Sequence, residues 1–187
     1  MVLKESDSEL NRGDAAPEFE LTGTDGETYT LDSFADNDAL LLVFTCNHCP
    51  YAQAKFEFLN ELAAEFDDAA VVGINPNANP EYPDDDFDSM VEFVDDGTIA
   101  YDAYLYDETQ NVAREYGAVC TPDPFLFARE DGEWQLAYHG RLDDALSPDA
   151  EPTEFYAREA IESVLTGEDV DHDDLPSRGC SIKWVDA

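Results

Sequence analysis

Basic residues are scarce in this sequence: nine lysines and arginines stand against 45 aspartates and glutamates, for a formal net charge of −36. A nucleic-acid site needs clustered cations that neutralise phosphates. The three lysines, Lys4, Lys55 and Lys183, lie far apart in the chain. An anionic membrane surface requires the same kind of basic patch. The sequence therefore predicts no nucleic-acid partner and no membrane partner.

Long apolar runs are also missing. No stretch reaches the roughly 18 residues that a membrane-spanning helix needs, and Met1–Asn11 lacks the basic and then apolar pattern of a signal peptide. We therefore expect a cytoplasmic protein. Cysteines are usually reduced in that compartment, so the four cysteines indicate redox or metal chemistry before structural disulfides.

The acidic residues are spread along the whole chain and do not form a tail, but the stretch Leu40–Tyr51 contains none of them. Hydrated carboxylates distributed over a fold are typical of proteins from salt-loving organisms, and an acidic protein of ordinary cytosol is the alternative. Molar salt reduces the Debye length to about 3 Å. We therefore expect the surface charge to have little effect on groups in Leu40–Tyr51.

The chain is predicted to form one α/β domain over residues 1–187, with a C-terminal tail at 168–187. Glu18–Leu21 and Glu27–Thr30 are predicted to pair as an N-terminal β-hairpin, because Asp25-Gly26 between them suits a tight turn. No repeat or low-complexity block divides the rest of the chain.

A buried strand followed by a helix and a second buried strand is predicted next. Asp38–Thr45 contains an uninterrupted apolar run, as in a strand covered on both faces. Pro50–Phe66 repeats apolar residues at three- and four-residue steps, which indicates an amphipathic helix. With the strand Ala69–Ile74, this order predicts a parallel pair. The other predicted elements are the helices Phe87–Val94, Glu108–Tyr116 and Glu154–Leu165 and the strands Tyr101–Leu105, Phe125–Ala128 and Trp134–His139.

Cys46 and Cys49 are three residues apart at the junction of the buried strand and the helix. Backbone N–H groups at a helix start stabilise a thiolate by about one pKa unit, and His48 lies between the two cysteines. The pattern predicts a redox pair with Cys46 as nucleophile and Cys49 as resolving thiol. The alternatives are inert thiols or half of a zinc site, but zinc would need two more ligands, and Cys120 and Cys180 are isolated. We expect no metal and no cofactor.

Several segments, in order along the chain, resemble a known group of proteins. They are Phe44–Tyr51, Asp107–Gln110, Cys120–Asp123, Gly140–Asp144 and Gly179–Trp184. Together they resemble the peroxiredoxin-like branch of the thioredoxin superfamily, the redoxin or alkyl hydroperoxide reductase/thiol-specific antioxidant domains. The resemblance implies a thioredoxin fold, with a central mixed sheet flanked by helices. It also implies protein or small-molecule disulfides or peroxide as substrates, and a thioredoxin-like electron donor.

The resemblance carries expectations for particular residues. A thioredoxin fold places a cis-proline against its cysteine pair, which implies that role for Pro122, with Thr121 beside it and Pro124 as a rival. Peroxiredoxins have Thr or Ser three residues before the peroxidatic cysteine, which aligns with Cys49, but here Cys46 occupies that position. We therefore predict thiol–disulfide exchange. The first alternative is a thiol-dependent peroxidase, and the second is a non-catalytic module that binds a metal or a partner.

The remaining polar candidates have weaker patterns. If Pro122 lies at the active site, Cys120 would be close to it and Cys180 could fold back, which makes them a possible second redox pair. Two buried, inert thiols are the alternative. Asp84–Asp86 is expected to be a solvated acidic surface. His139 and His172 are expected to be a strand residue and an exposed tail residue without functional partners.

Overall fold

A seven-stranded mixed sheet forms the centre of the protein in a computed structural model that describes residues 2–185. In chain order the strands are β1 Leu3–Glu5, β2 Leu21–Gly23, β3 Thr28–Tyr29, β4 Ala39–Phe44, β5 Ala69–Asn75, β6 Ala103–Tyr106, β7 Cys120–Thr121, β8 Asp123–Glu130, β9 Glu133–His139 and β10 Arg178–Ser181. The central sheet has the order β3-β2-β6-β5-β4-β8-β9. Met1, Asp186 and Ala187, which the predicted domain and tail include, lie outside the described residues.

Strand β4 lies inside the central sheet, between β5 and β8, and is buried at every position. It pairs in parallel with β5 and antiparallel with β8. Its side chains alternate between the two faces of the sheet, so that Leu40, Leu42 and Phe44 enter one hydrophobic cluster and the residues between them enter another. The predicted buried strand and parallel pair are confirmed, and β4 ends two residues before Cys46.

Helices cover both faces of this sheet. They are α1 Pro50–Gln53, α2 Phe56–Glu65, α3 Phe87–Asp95, α4 Asn111–Tyr116 and α5 Tyr156–Leu165, with 3₁₀ turns at Leu31–Phe34 and Pro83–Asp85. Helices α2 and α5 pack on one face and α4 packs on the other, whereas the N-terminal hairpin β2–β3 forms one edge of the sheet itself. The thioredoxin fold with a mixed sheet is confirmed. None of the helices in residues 2–185 has the length and apolarity needed to cross a membrane.

The prediction of one helix over Pro50–Phe66 is wrong at its centre, where the structure separates α1 from α2. The Lys55 N–H donates to the carbonyl of Ala52, three residues back, which is the tighter bond of a 3₁₀ turn. The Lys55 ammonium lies 2.6 Å from Asp143 and 3.0 Å from the carbonyl oxygen of Ala145. Periodicity alone does not reveal such a break, because the apolar positions continue on both sides of it.

A second, three-stranded sheet with the order β1-β10-β7 was not predicted. Strand β10 is antiparallel to both neighbours. Its sequence, Arg-Gly-Cys-Ser, has a glycine inside it and none of the branched or aromatic residues that favour strands. This sheet brings the C-terminal segment to the end of β4, where the functional candidates lie.

Candidate functional site

The loop that follows β4 lies against Thr121. The Cys46 Sγ atom is 3.4 Å from the Thr121 hydroxyl oxygen, and the Cys49 Sγ atom is 3.8 Å from the Thr121 carbonyl oxygen. The Thr121–Pro122 peptide bond is cis, whereas Pro124 sits within β8 opposite Val43. The structure thus gathers the two motif cysteines, Thr121 and Pro122 at one place.

The disulfide, however, differs from the predicted one. Cys49 is bonded to Cys180, with their Cα atoms 6.4 Å apart, and Cys46 and Cys120 are free thiols. Neither the expected Cys46–Cys49 pair nor the suggested Cys120–Cys180 pair is present. The CxxC motif therefore contributes one sulfur to the disulfide, and the C-terminal strand contributes the other.

The register between β7 and β10 explains this pairing. Cys180 lies directly opposite Thr121, and Ser181 lies opposite Cys120. Side chains of opposed residues share a face of a sheet, and successive residues in a strand alternate between faces. Cys180 is therefore on the Thr121 side, close to Cys49, whereas Cys120 points to the other face of the small sheet. A Cys120–Cys180 bond would need a shift of one residue in register.

Cys46 is not the activated thiol that the sequence predicts. Its side chain is completely buried, and burial, together with the negative charge of Asp85, raises the pKa of the Cys46 thiol to about 12. The backbone N–H groups of Asn47 and His48 donate to Asp85 Oδ1 over 2.7 and 3.0 Å. The amides that were expected to stabilise a Cys46 thiolate thus bind a carboxylate instead.

Asp85 is the site residue that the sequence analysis missed. The prediction of a solvated acidic surface is wrong for it, because the side chain is fully buried although Asp84 and Asp86 are exposed. Its Oδ2 atom accepts a 2.9 Å hydrogen bond from Asn77 and is also hydrogen-bonded to His48 Nδ1. The sequence does offer one signal for this residue, the cluster of Asn and Pro after β5. Because β4 and β5 are parallel, the loops that follow them meet at the same edge of the sheet, so a polar residue after β5 can reach the loop of Cys46.

A pocket of about 320 Å³ opens over the disulfide. Its walls are Val2, His48, Cys49, Pro50, Tyr82, Cys180, Ser181 and Lys183. Cys49 and Cys180 are only 1% and 2% exposed, so the disulfide is almost completely buried beneath the pocket. The Lys183 ammonium donates to the Ser181 carbonyl oxygen and lies 5.6 Å from the centre of the Tyr82 ring.

Two histidines lie outside the pocket: His139 is a strand residue, as predicted, at the end of β9, whereas His172 is not the exposed residue that was expected. His139 Nε2 lies 2.7 Å from Oδ1 of the buried Asp123, and the imidazole stacks on Phe125 with ring centroids 4.0 Å apart. His172 is half-buried and lies edge-on to Tyr138. Neither histidine lines the pocket over the disulfide.

We expect Asp85→Asn to lower the pKa of Cys46 by about one unit or more, because the substitution removes a negative charge beside the thiol. The measurement is a thiolate absorbance titration in a Cys120→Ser background, with chelator present and the Cys49–Cys180 disulfide intact, so that Cys46 is the one titrating thiol. Asp84→Asn is the matched control and should leave the midpoint unchanged. Equal midpoints with and without the Asp85 charge would contradict the electrostatic explanation.

The AhpC/TSA family model matches residues 12–137 of the chain. This chain belongs to the AhpC/TSA family. The family is part of the thioredoxin superfamily, in agreement with the fold and with the resemblance of the motif segments. Proteins of the family are thiol–disulfide oxidoreductases or peroxidases.

Two solved structures resemble the AhpC/TSA protein over nearly its full length. One is a hypothetical protein from Sinorhizobium meliloti, 36% identical, with a TM-score of 0.90 over 98% of this chain and 99% of that one. The other is an uncharacterized protein from Geobacillus kaustophilus, 34% identical, with a TM-score of 0.91 over 100% of this chain and 98% of that one. Both similarities extend beyond the family match into the C-terminal segment of this chain.

Relatives with functional names are more distant from the AhpC/TSA protein. The thiol:disulfide interchange protein DsbE of Yersinia pestis is 29% identical over 136 residues, which are 71% of this chain and 66% of that protein. The chain thus spans slightly less than two thirds of that relative's length. A peroxidoxin from Mycobacterium tuberculosis, 21% identical with a TM-score of 0.58 over 84% of this chain and 97% of that one, shares the fold.

Proposed function

We propose that the protein is a thiol–disulfide oxidoreductase whose exchanging pair is Cys49 and Cys180. The observation that carries the proposal is the disulfide between these residues at the base of the pocket. The family match supports Cys49 as the attacking residue, because the peroxidatic cysteine of such proteins aligns with the second cysteine of a CxxC motif. Cys46, predicted from sequence as the nucleophile, is less suited to that role because its thiol is buried and has a raised pKa.

The reaction proceeds in two exchange steps. In the reduced protein, the Cys49 thiolate attacks one sulfur of a substrate disulfide, forms a mixed disulfide and releases the first substrate thiol. The Cys180 thiolate then attacks Cys49 Sγ, which forms the Cys49–Cys180 bond and releases the second substrate thiol. A dithiol donor of the thioredoxin type returns both cysteines to the thiol state by the same steps in reverse.

Other residues of the site position the reactants. Thr121 lies behind Cys49, with its carbonyl oxygen 3.8 Å from Cys49 Sγ, and so positions that residue. Thr121 and Pro122 are both buried and neither lines the pocket, so the predicted role of these two residues in shaping a substrate groove is not part of this proposal. His48 lies in the pocket wall beside the disulfide. In a cytoplasm, where glutathione and thioredoxin keep thiols reduced, the dithiol is the resting form and the disulfide forms during turnover.

The test is the reduction of insulin and of a small neutral disulfide in molar salt by the wild type and by three single variants. Cys49→Ser and Cys180→Ser should each lose at least about a hundredfold in rate, since each removes a sulfur that changes partners. Cys120→Ser is the matched control, because Cys120 is equally buried and outside the disulfide, and it should retain the wild-type rate. Full activity in Cys180→Ser would refute the assigned pair.

Peroxide reduction is the second candidate function, because the Cys49–Cys180 disulfide is also the product expected of that reaction. A Cys49 thiolate that attacks a peroxide becomes a sulfenic acid and releases an alcohol or water, and Cys180 then condenses with it to a disulfide with loss of water. The Thr121 hydroxyl, however, lies on Cys46 and not on Cys49. Peroxide consumption with a dithiol donor, measured against disulfide reduction on the same enzyme, decides between the two substrates.

A further inference from the structure

We propose that Cys46, His48 and Asp85 form a binding site for a divalent transition metal ion of the zinc type. The Cys46 Sγ atom, one ring nitrogen of His48 and one carboxylate oxygen of Asp85 all lie within 4.8 Å of one another. The three residues are separate from the Cys49–Cys180 disulfide, so the site is complete while that disulfide is oxidised. The inference therefore does not require the proposed exchange reaction, although His48 lies in both sites.

The set of donor atoms selects the class of metal. Zinc is bound in proteins by thiolate, imidazole and carboxylate, with bonds of about 2.0–2.3 Å. Ligand atoms at these distances around a tetrahedral ion are about 3.5 Å apart, so small side-chain movements bring the three donors together. Magnesium and calcium prefer oxygen ligands, and a thiolate with an imidazole disfavours both. Three protein ligands leave a fourth position for water.

Each donor is already held by a second residue, as is usual around metal ligands. Asp85 is oriented by the Asn47 N–H at 2.7 Å and by the Asn77 side chain at 2.9 Å. Cys46 contacts the Thr121 hydroxyl. The His48 ring stacks on Tyr82, with centroids 5.9 Å apart. The donors would therefore lose little conformational freedom on binding an ion.

The charges at the site also favour a cation. Two groups that can be negative, the Cys46 thiol and the Asp85 carboxylate, face each other in a fully buried place. Without an ion, the carboxylate disfavours the thiolate, but a bound divalent ion would stabilise both anions at once. The His48 side chain is 29% exposed and lines the pocket, which offers an ion a route from solvent.

The experiment is a titration of the oxidised protein with Zn²⁺ in competition with a chromophoric chelator, in molar NaCl so that weak binding to surface carboxylates is suppressed. We expect about one equivalent of tightly bound Zn²⁺. Cys46→Ser should weaken the affinity by about a hundredfold or more, and His48→Gln and Asp85→Asn by about tenfold or more. Co²⁺ in place of Zn²⁺ should give the absorption of a thiolate–metal bond, absent from Cys46→Ser.

Matched controls separate the site from the rest of this acidic chain. Cys120→Ser removes the buried free thiol that lies outside the site, and Asp84→Asn removes a neighbouring exposed carboxylate; both variants should bind Zn²⁺ as the wild type does. No stoichiometric uptake by the wild type, or unchanged uptake by folded Cys46→Ser and His48→Gln, overturns the inference. Zn²⁺ binding and disulfide exchange are measured in separate assays, so a variant that loses exchange activity can still be tested for Zn²⁺ binding.

Discussion

Reduction of the Cys49–Cys180 disulfide should lower the free energy of unfolding by about 2–5 kcal/mol. The bond joins residues 131 positions apart, so it restricts most of the unfolded chain, and the loss of that restriction favours unfolding. The native state also loses the covalent attachment of β10, a strand of four residues that is otherwise held by β1 and β7. Denaturant titrations with and without a reductant, both in molar salt, measure the difference.

The Cys180→Ser variant is the control for this first prediction. It lacks the disulfide under both conditions, so its unfolding midpoint should not respond to the reductant and should match that of the reduced wild type. Cys120→Ser should respond as the wild type does. If reductant leaves the wild-type midpoint unchanged, the disulfide either does not form in solution or does not stabilise the protein.

Replacement of Gly179 by alanine should prevent most molecules from forming the disulfide. A Cβ atom at this position would lie 1.9 Å from the carbonyl oxygen of Thr121 and 2.5 Å from its carbonyl carbon. Both atoms belong to the backbone, so no side-chain rotation relieves the clash, and β10 has to move away from β7. Because Cys180 follows directly, its sulfur would then leave the reach of Cys49. We expect about four free thiols in the oxidised, denatured variant, against two in the wild type.

A second glycine variant separates this clash from general backbone effects. Gly97 has a φ of +83° and no atom within 4 Å of an added Cβ. Gly97→Ala should therefore cost about 1 kcal/mol through backbone strain and retain two free thiols. Two free thiols in Gly179→Ala as well would show that the small sheet tolerates a side chain there, and would contradict the explanation from the β7–β10 contact.

The parts of the site that sequence predicts well are those that local pattern controls. The apolar run of β4 has to be buried on both faces, so the strand and its end shortly before Cys46 follow from residues that are adjacent in the chain. The position of Thr121 and Pro122 at the cysteines followed from the resemblance of several motifs. The contacts of Thr121 with Cys46 and Cys49 and the cis bond that joins it to Pro122 agree with that expectation, and the functional roles of the two residues remain predictions.

The two predictions that failed, the activated Cys46 thiol and the disulfide pairing, depend on residues that are distant in the chain. An isolated helix start would favour a Cys46 thiolate, but a carboxylate 38 positions from Asn47 occupies the relevant amides. In a chain with 45 acidic residues, nothing local distinguishes the buried Asp85 from its exposed neighbours. The choice between Cys120 and Cys180 is likewise a matter of strand register, because a shift of one residue turns every side chain to the other face.

The sequence by itself determined the α/β class, the buried strand β4 and the place of the CxxC motif after it, because hydrophobic periodicity and motif spacing act between near neighbours. The thioredoxin fold followed from the resemblance of the motif segments. The tertiary structure alone decided which sulfur Cys49 bonds to and which charge lies beside Cys46. Both depend on segments brought together only when the whole chain folds, namely the polar loop after β5 and the strand β10, and neither segment has a periodic pattern from which its partner can be predicted.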